Sequence, residues 1–374
     1  MTIETKVVRA GVAQDPTFGA VIPPIYLSST FSFEEYGVKR LYDYTRSGNP
    51  TRDLFAGALA ELEGGAGALI TSTGMSSVLL VLQLLKPSDL IVAPHDCYGG
   101  TFRLLNALAD KGSFLVEYHD VTTPAGLAAS VARKPRILWI ETPSNPILRI
   151  TDVREVVRRC QATGTLVVVD NTLLSPALQQ PLALGADLVV HSTTKYLNGH
   201  SDVVGGAVVA RDQALFEELA WWCNCLGIGG SPFDAWLQVR GVRTLFPRIR
   251  QHVENTEQVV EAGFASGRRF ASWGSQTSSR ATSETSVSTR STSSLIASMT
   301  TSARPTRSPF GSAISRALAA SRSGLVRNLR ARVFAWASMP FLICSGLRSC
   351  SETSMPEATH HPAMSAPIVP APIT

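Results

Sequence analysis

The 374-residue chain has no long apolar run, no CxxC pair and no metal-ligand spacing. Its longest apolar stretch, around residues 78–85, falls far short of the roughly 20 residues that a membrane helix needs, so we expect no membrane span. No basic start leads into an apolar stretch, which predicts no signal peptide. The six cysteines form neither a CxxC pair nor a Cys/His zinc pattern, which predicts free thiols, a cytoplasmic protein and no metal site.

Lysine and aspartate are missing from residues 268–374, and the two parts of the chain differ sharply in charge. Residues 1–267 hold 22 Lys and Arg against 26 Asp and Glu, a net charge of −4, whereas residues 268–374 hold 12 Arg against 3 Glu, a net charge of +9. The overall charge of +5 therefore says little about what residues 1–267 bind. Without a dense Lys/Arg run or interleaved aromatics, the C-terminal part does not predict nucleic-acid binding.

Residues 268–374 are also of low complexity, since Ser and Thr make up 34 of the 107 residues and Tyr is absent. Such a composition predicts a segment that does not build a packed core. The change comes abruptly at about Gly267, at the end of a helical pattern over about 248–266. Enrichment in Arg, Ser, Thr, Ala and Pro without Lys or Asp is typical of out-of-frame translation, and we hypothesise a frameshift near residue 267. A genuine basic tail is the alternative.

Between residues 50 and 245, short apolar runs alternate with amphipathic segments. The runs are continuous, which is typical of strands buried on both faces of a mainly parallel sheet. They lie at 68–70, 90–93, 137–140, 166–169 and 188–190. The pattern predicts an α/β domain over residues 49–247, preceded by an N-terminal arm over 1–48 and followed by the first helix of a C-terminal domain over 248–267.

Several predicted strands end in residues that can do chemistry, at the sheet edge where ligands of α/β proteins bind. Three runs lead directly into Glu141, Asp170 and the stretch 191–195. A fourth leads into 71–76, a turn of small and hydroxyl residues that opens a helix, and such a helix start suits a phosphate. One such ending could arise by chance, whereas four along one edge predict a ligand site.

The stretch 191–195 places two hydroxyls, Ser192 and Thr194, beside Lys195. The hydroxyls could bind one phosphate, and the lysine could form a Schiff base with an aldehyde on the same ligand. Asp170, at a buried strand end, needs a cationic partner, which the pyridinium nitrogen of pyridoxal 5′-phosphate would supply. Each residue alone has an ordinary explanation: a solvated loop lysine, a helix-capping aspartate, a packed tyrosine at Tyr98. Together they predict a pyridoxal-phosphate site with Tyr98 stacked on the ring.

Several long stretches of the chain, covering about residues 5–266, match the motifs of one known family in order. They are DYTRSGNPTRD (43–53), ALAELEGGAGA (58–68), TSTGMSS (71–77), APHDCYGGTFRL (93–104), ETPSNPILRI (141–150), the stretch 168–206 and the stretch 220–249. On these motifs the chain resembles the pyridoxal-phosphate-dependent enzymes of Cys/Met metabolism, which have fold type I. Within that family it resembles the cystathionine γ-synthase branch.

The resemblance implies a catalytic set in which Lys195 is the Schiff-base lysine, Asp170 is the partner of the pyridine nitrogen and Tyr98 stacks on the ring. The residues that would hold the phosphate are Gly74, Met75, Ser192 and Thr194. Asn145 would lie near the ring and bind cofactor or substrate.

Two residues of the N-terminal arm, Tyr44 and Arg46, would by this resemblance reach the phosphate of a neighbouring subunit. The resemblance therefore implies a homotetramer, built as a dimer of dimers with active sites shared across each dimer. Arg103 is a further candidate, for the distal carboxylate of the substrate.

The implied reaction is a γ-replacement that forms cystathionine from cysteine and an O-acyl-homoserine, succinyl or acetyl, in methionine biosynthesis. Two kinds of alternative stay open. One is another activity of the family: a cystathionine β- or γ-lyase, or an O-acylhomoserine sulfhydrylase. The other is an inactive chain, because residues 268–374 show no counterpart of the family's C-terminal substrate-binding motifs.

Overall fold

The structure, a computed structural model, describes residues 1–13, 15 and 17–265. The low-complexity segment, the hypothesised frameshift and the missing substrate-binding motifs all concern positions outside the described residues. Among the helices that the structure describes, none is long and apolar enough to cross a membrane.

Ten α-helices and seven strands alternate along the described part of the chain. The helices are α1 (Ile3–Val8), α2 (Pro50–Glu63), α3 (Gly74–Leu82), α4 (Gly99–Asp110), α5 (Pro124–Ala132), α6 (Val153–Cys160), α7 (Ser175–Leu178), α8 (Gln213–Leu226), α9 (Pro232–Val242) and α10 (Leu245–Ala265). The strands are β1 (Gly67–Thr71), β2 (Leu90–Pro94), β3 (Leu115–His119), β4 (Ile137–Glu141), β5 (Leu166–Asp170), β6 (Leu188–His191) and β7 (Gly206–Ala210). A 3₁₀ turn spans Leu182–Leu184.

The strands form one sheet in the order β1-β7-β6-β5-β4-β2-β3. Strands β6, β5, β4, β2 and β3 are parallel, whereas β7 is antiparallel to both of its neighbours, β1 and β6. The predicted α/β class with a mainly parallel sheet is thus confirmed. Two strands, β3 and β7, were absent from the prediction.

Helix α2 shows how the local sequence sets an element's ends. The Asn49 side chain accepts hydrogen bonds from two N–H groups of the first turn, and Pro50 occupies the first turn, where a missing N–H costs nothing. The helix ends at Gly64, whose φ of 76° lies in the left-handed region that glycine adopts without strain.

The sheet separates two apolar cores. One contains Phe55, Leu59 and Leu62 of α2, and the other contains Val78 and Leu80 of α3. Alternate residues of each central strand enter opposite cores, and Ile137–Ile140 of β4 are fully buried. Burial on both faces explains why these strands read as continuous apolar runs.

Candidate active site

Three parallel strands end side by side in polar residues. Glu141, the last residue of β4, is paired in register with Asp170, the last residue of β5. Asp170 in turn is paired with Val190, so His191 at the end of β6 lies one step further along the same edge. The polar strand ends that the sequence predicted are therefore neighbours in the structure.

The start of α3 lies against the turn that follows β6. A Cβ added at Gly74 would lie 2.8 Å from Ser192 Cβ and 3.0 Å from Ser192 Oγ, so only a glycine fits this approach. Thr73 caps the helix by accepting a hydrogen bond from the Ser76 N–H at 2.9 Å. Within the described residues the N–H groups of Gly74 and Met75 have no assigned acceptor. Free N–H groups at a helix start beside a hydroxyl make a site for a phosphate.

The two hydroxyls of this turn are in different situations. The Ser192 backbone N–H donates to Thr172 Oγ1 at 2.8 Å, and Ser192 Oγ has no assigned partner among the residues described. Thr194 Oγ1 instead accepts from the Gly205 N–H at 3.0 Å and lies 3.2 Å from the Gly205 carbonyl oxygen, to which it donates. Ser192 is thus free to bind a ligand, whereas Thr194 would have to turn its hydroxyl proton away from Gly205.

Lys195 lies in the same turn and is exposed. Its N–H donates to the Ser192 carbonyl oxygen at 3.2 Å, and its carbonyl oxygen accepts from the Gly199 N–H at 2.8 Å. These bonds fix the backbone of the turn. In the part of the chain that the structure describes, no ion pair or hydrogen bond is assigned to its amine. The lysine is therefore held by its backbone while its side chain stays available.

Asp170 is held by the residue that also supports Ser192. Its Oδ1 accepts a hydrogen bond from the Thr172 N–H at 3.0 Å. Burial raises the pKa of the Asp170 carboxyl above its usual value, against the opposing effects of the Thr172 hydrogen bonds and the positive charge of His191. A cation placed against this carboxylate would offset its cost of burial.

The Tyr98 ring packs between helices α3 and α4. A Cβ added at Gly100 would lie 2.5 Å from Tyr98 Cε1 and 2.9 Å from Met75 Sδ. The Tyr98 ring and the Met75 side chain therefore both pack against Gly100. Tyr98 remains 42% exposed, which leaves part of its surface available for a ligand. Arg103 is exposed on α4, and its Nη1 lies 3.6 Å from a Cβ added at Gly99, next to Tyr98.

Glu141 was one of the predicted polar strand ends, but the sequence assigned it no individual role. It is only 6% exposed, and each oxygen accepts one backbone N–H: Oε2 from Tyr98 and Oε1 from Asn145, both at 2.7 Å. The pKa of Glu141 is raised well above its usual value, chiefly by burial and then by the negative charge of Asp170. Its position at a strand end was the available signal, but neither partner could be read from the sequence.

Tyr44 and Arg46 make contacts outside this cluster. The Arg46 guanidinium stacks over the Tyr44 ring at 5.6 Å, and its Nη1 donates to the Asn224 carbonyl oxygen at 2.9 Å. Within the described residues, neither side chain has an assigned bond to Gly74 or Ser192.

A family profile described as Cys/Met metabolism PLP-dependent enzyme matches residues 4–264 of the chain. The chain belongs to this family. Membership confirms the predicted enzyme class, the fold class and pyridoxal phosphate as cofactor. The match ends close to the last described residue.

The similarity to individual relatives supports the same family assignment. Cystathionine γ-synthase of Escherichia coli (strain K12) is 52% identical over 258 residues, which cover 69% of this chain and 67% of the relative. A cystathionine β-lyase of Lactococcus lactis subsp. cremoris is 40% identical over 260 residues, covering 70% and 68%.

Solved structures show the same order of similarity. Cystathionine γ-synthase from Xanthomonas oryzae pv. oryzae, in complex with aminoacrylate and cysteine, superimposes with a TM-score of 0.70 at 60% identity, covering 72% of this chain and 69% of that one. A cystathionine γ-lyase from Lactobacillus plantarum, complexed with L-serine, has a TM-score of 0.67 at 37% identity, covering 70% and 68%.

The candidate site fits the family's cofactor. Close packing of Gly74 on Ser192 leaves two helix N–H groups and one hydroxyl free for a phosphate. Asp170 offers a buried carboxylate to a ring cation, and Lys195 offers an amine in the same turn as Ser192. The donor set thus contains a partner for the phosphate, the ring nitrogen and the aldehyde of pyridoxal phosphate.

Proposed function

We propose that the chain catalyses the formation of cystathionine from cysteine and an O-acyl-homoserine. The observation that supports this proposal is that the chain is more similar to synthases than to lyases. It is 52% and 60% identical to two γ-synthases, but only 40% identical to a β-lyase and 37% identical to a γ-lyase. The acyl group, succinyl or acetyl, is left to experiment.

When bound, pyridoxal phosphate would supply an electrophilic carbonyl and a ring that withdraws electrons from the substrate carbons. Lys195 would carry the cofactor through its Nζ and, once released, move protons at the substrate α and β carbons. The Asp170 carboxylate would hold the proton on the ring nitrogen, because a buried anion stabilises a cation beside it.

The remaining residues would bind and orient. The N–H groups of Gly74 and Met75 and the hydroxyls of Ser192 and Thr194 would hold the phosphate. Tyr98 would cover the ring and exclude water, which strengthens the electrostatic interactions beneath it.

Two further assignments complete the proposed site. Asn145 would bind at the ring, held by its backbone bond to Glu141. Arg103 would attract the distal carboxylate of a succinyl substrate from its exposed place on α4.

The assembly that we propose is a homotetramer in which Tyr44 and Arg46 serve a neighbouring subunit's phosphate. The lack of an assigned bond from either side chain to Gly74 or Ser192 within the described residues supports this. So do the exposed apolar side chains of the arm: Phe18, Val21, Ile22, Leu27, Tyr36 and Leu41. Free cysteines among the described residues support the proposed location, the cytoplasm, where thiols stay reduced.

The lyase relatives make a cystathionine lyase the second candidate, since 40% identity places it in the same family. Product analysis separates the candidates. Cysteine with succinyl- or acetyl-homoserine should give cystathionine from a synthase, cystathionine alone should be cleaved by a lyase, and sulfide should replace cysteine for a sulfhydrylase.

The site itself is tested with Lys195→Ala. The purified protein with added pyridoxal phosphate should develop the visible absorption band of the lysine-bound cofactor, and the variant should lose it because no amine is left to carry the cofactor. Lys111→Ala, an exposed lysine after α4, is the matched control and should keep the band. A folded wild-type chain with no band would contradict the enzyme proposal.

A further inference from the structure

We propose that Glu141 is a positioning residue that ties together the two segments flanking the cofactor ring, Tyr98 on one side and Asn145 on the other. The inference rests on the proposed function, which places these two residues at the ring. It assigns to Glu141 no contact with cofactor or substrate.

The Glu141 carboxylate binds two separate segments of the chain at the same time. Glu141 ends β4, and its two oxygens point to different parts of the chain: Oε2 binds the Tyr98 N–H, 43 residues earlier, and Oε1 binds the Asn145 N–H, four residues later. Both bonds are 2.7 Å long, within the short range of hydrogen bonds to a carboxylate. One buried side chain thereby fixes two loops relative to each other and to the sheet.

A bond from Ser144 Oγ to Asp96 Oδ2 at 2.6 Å also joins the two loops, but within the described residues no side chain other than Glu141 is assigned a hydrogen bond to Tyr98 or Asn145. Tyr98 is the N-cap residue of α4, and it makes no side-chain capping bond. Asn145 lies in the irregular segment after β4, and its N–H is assigned to Glu141 alone among the described residues. Loss of the carboxylate would therefore leave the N–H groups of Tyr98 and Asn145 without their acceptor, and both loops would shift to satisfy them.

The place of Glu141 beside Asp170 explains why a carboxylate suits this position. The two residues are register partners on adjacent parallel strands, so their side chains leave the sheet on the same side. Repulsion from Asp170 and burial oppose the charge on Glu141, while the two N–H groups favour it. A cationic ring nitrogen at Asp170 would favour both charges, so cofactor binding would tighten the anchor.

The test compares Glu141→Gln and Glu141→Asp with a control, Asp187→Asn. Asp187 is also a buried carboxylate of the sheet, accepting the Val167 N–H at 2.7 Å and pairing with Arg211 at 2.7 Å, but it lies at the opposite end of β6 from the site. In Gln one oxygen is replaced by an NH₂ group that cannot accept. In Asp the charge remains, but the side chain is one methylene shorter.

Three quantities should change together in Glu141→Gln. The dissociation constant of pyridoxal phosphate should rise about 10-fold or more, as expected when one charge-assisted hydrogen bond is lost. The visible circular dichroism of the bound cofactor should weaken, because Tyr98 and Asn145 no longer hold the ring in one orientation. Amide hydrogen exchange at Tyr98 and Asn145 should accelerate about 10-fold in the cofactor-free protein.

The control and the conservative variant decide between positioning and general stability. Asp187→Asn should lower the melting temperature without changing the dichroism of the bound cofactor. Glu141→Asp should keep part of the dichroism, since it keeps the charge. Wild-type cofactor binding, dichroism and amide exchange in Glu141→Gln would overturn the role of Glu141 and leave the proposed function intact. A wild-type chain that never binds the cofactor would overturn both.

Discussion

The buried pair of Glu63 and His191 gives the most quantitative test of how the fold supports the site. Glu63, at the end of α2, is fully buried, and its Oε1 lies 2.7 Å from His191 Nε2. The same oxygen accepts a hydrogen bond from Asn171 Nδ2 at 3.0 Å. Since His191 directly precedes Ser192 and Asn171 directly follows Asp170, one carboxylate secures the strand ends that carry both candidate residues.

Replacing Glu63 by alanine removes the acceptor of two buried donors. Each unsatisfied buried donor costs about 1–3 kcal/mol, and more for a charged group. Asn171 Nδ2 retains a second acceptor, the Gln179 carbonyl oxygen at 2.9 Å. Its contribution to the loss of stability is therefore at the lower end of that range. His191 has no second partner at this nitrogen in the described structure. We expect Glu63→Ala to lower the free energy of unfolding by about 2–4 kcal/mol, the sum of a smaller contribution from Asn171 and a larger one from His191.

The assay is urea-induced unfolding of the cofactor-free protein, followed by far-ultraviolet circular dichroism. Glu61→Ala is the control on the same helix, because Glu61 is 56% exposed and its pair with Lys6 at 3.2 Å faces solvent. That change should cost less than about 1 kcal/mol. Glu63→Gln should be intermediate, since its amide oxygen can still accept. If Glu63→Ala cost no more than Glu61→Ala, the buried pair would not stabilise the fold as argued.

Two further predictions concern packing and pH. A Cβ at Gly206 would lie 2.2 Å from the Thr73 carbonyl oxygen, so Gly206→Ala should destabilise the chain by about 3 kcal/mol or more, whereas Gly57→Ala on α2, with no atom within 4 Å, should stabilise it by about 0.5–1 kcal/mol. Equal melting temperatures would contradict this. In cofactor-free protein, the stability that protonated Asp170 contributes is fully present below pH 3.8 and is lost as pH rises through its raised pKa. The melting temperature of Asp170→Asn should therefore rise relative to that of the wild type as pH rises above 3.8. A difference between the two melting temperatures that did not change with pH would refute the assignment.

The sequence predicted five of the seven strands of the sheet and missed β3 and β7 for different reasons. Strands β1, β2, β4, β5 and β6 were visible as apolar runs because both faces meet a core. β3 lies at the sheet edge, where its residues are exposed or half-buried, so its LVEYH sequence shows no such run. β7 is fully buried, but two glycines interrupt the apolar stretch VVGGAVVA (203–210) in which it lies. Its antiparallel direction follows from its neighbours alone.

For the site, the sequence determined which residue types stand at strand ends and at the start of α3, since strand and helix boundaries follow local apolar period and capping. Lys195, Asp170 and Ser192 could be predicted on that basis. Tertiary structure alone decided which of them meet. A Cβ added at Gly74 would lie only 2.8 Å from Ser192 Cβ, a close approach of segments 118 residues apart, and Glu141 and Glu63 each bind partners far along the chain. Such contacts depend on strand order and register, which no local pattern encodes, and for that reason the partners of the two buried glutamates became visible only in the fold.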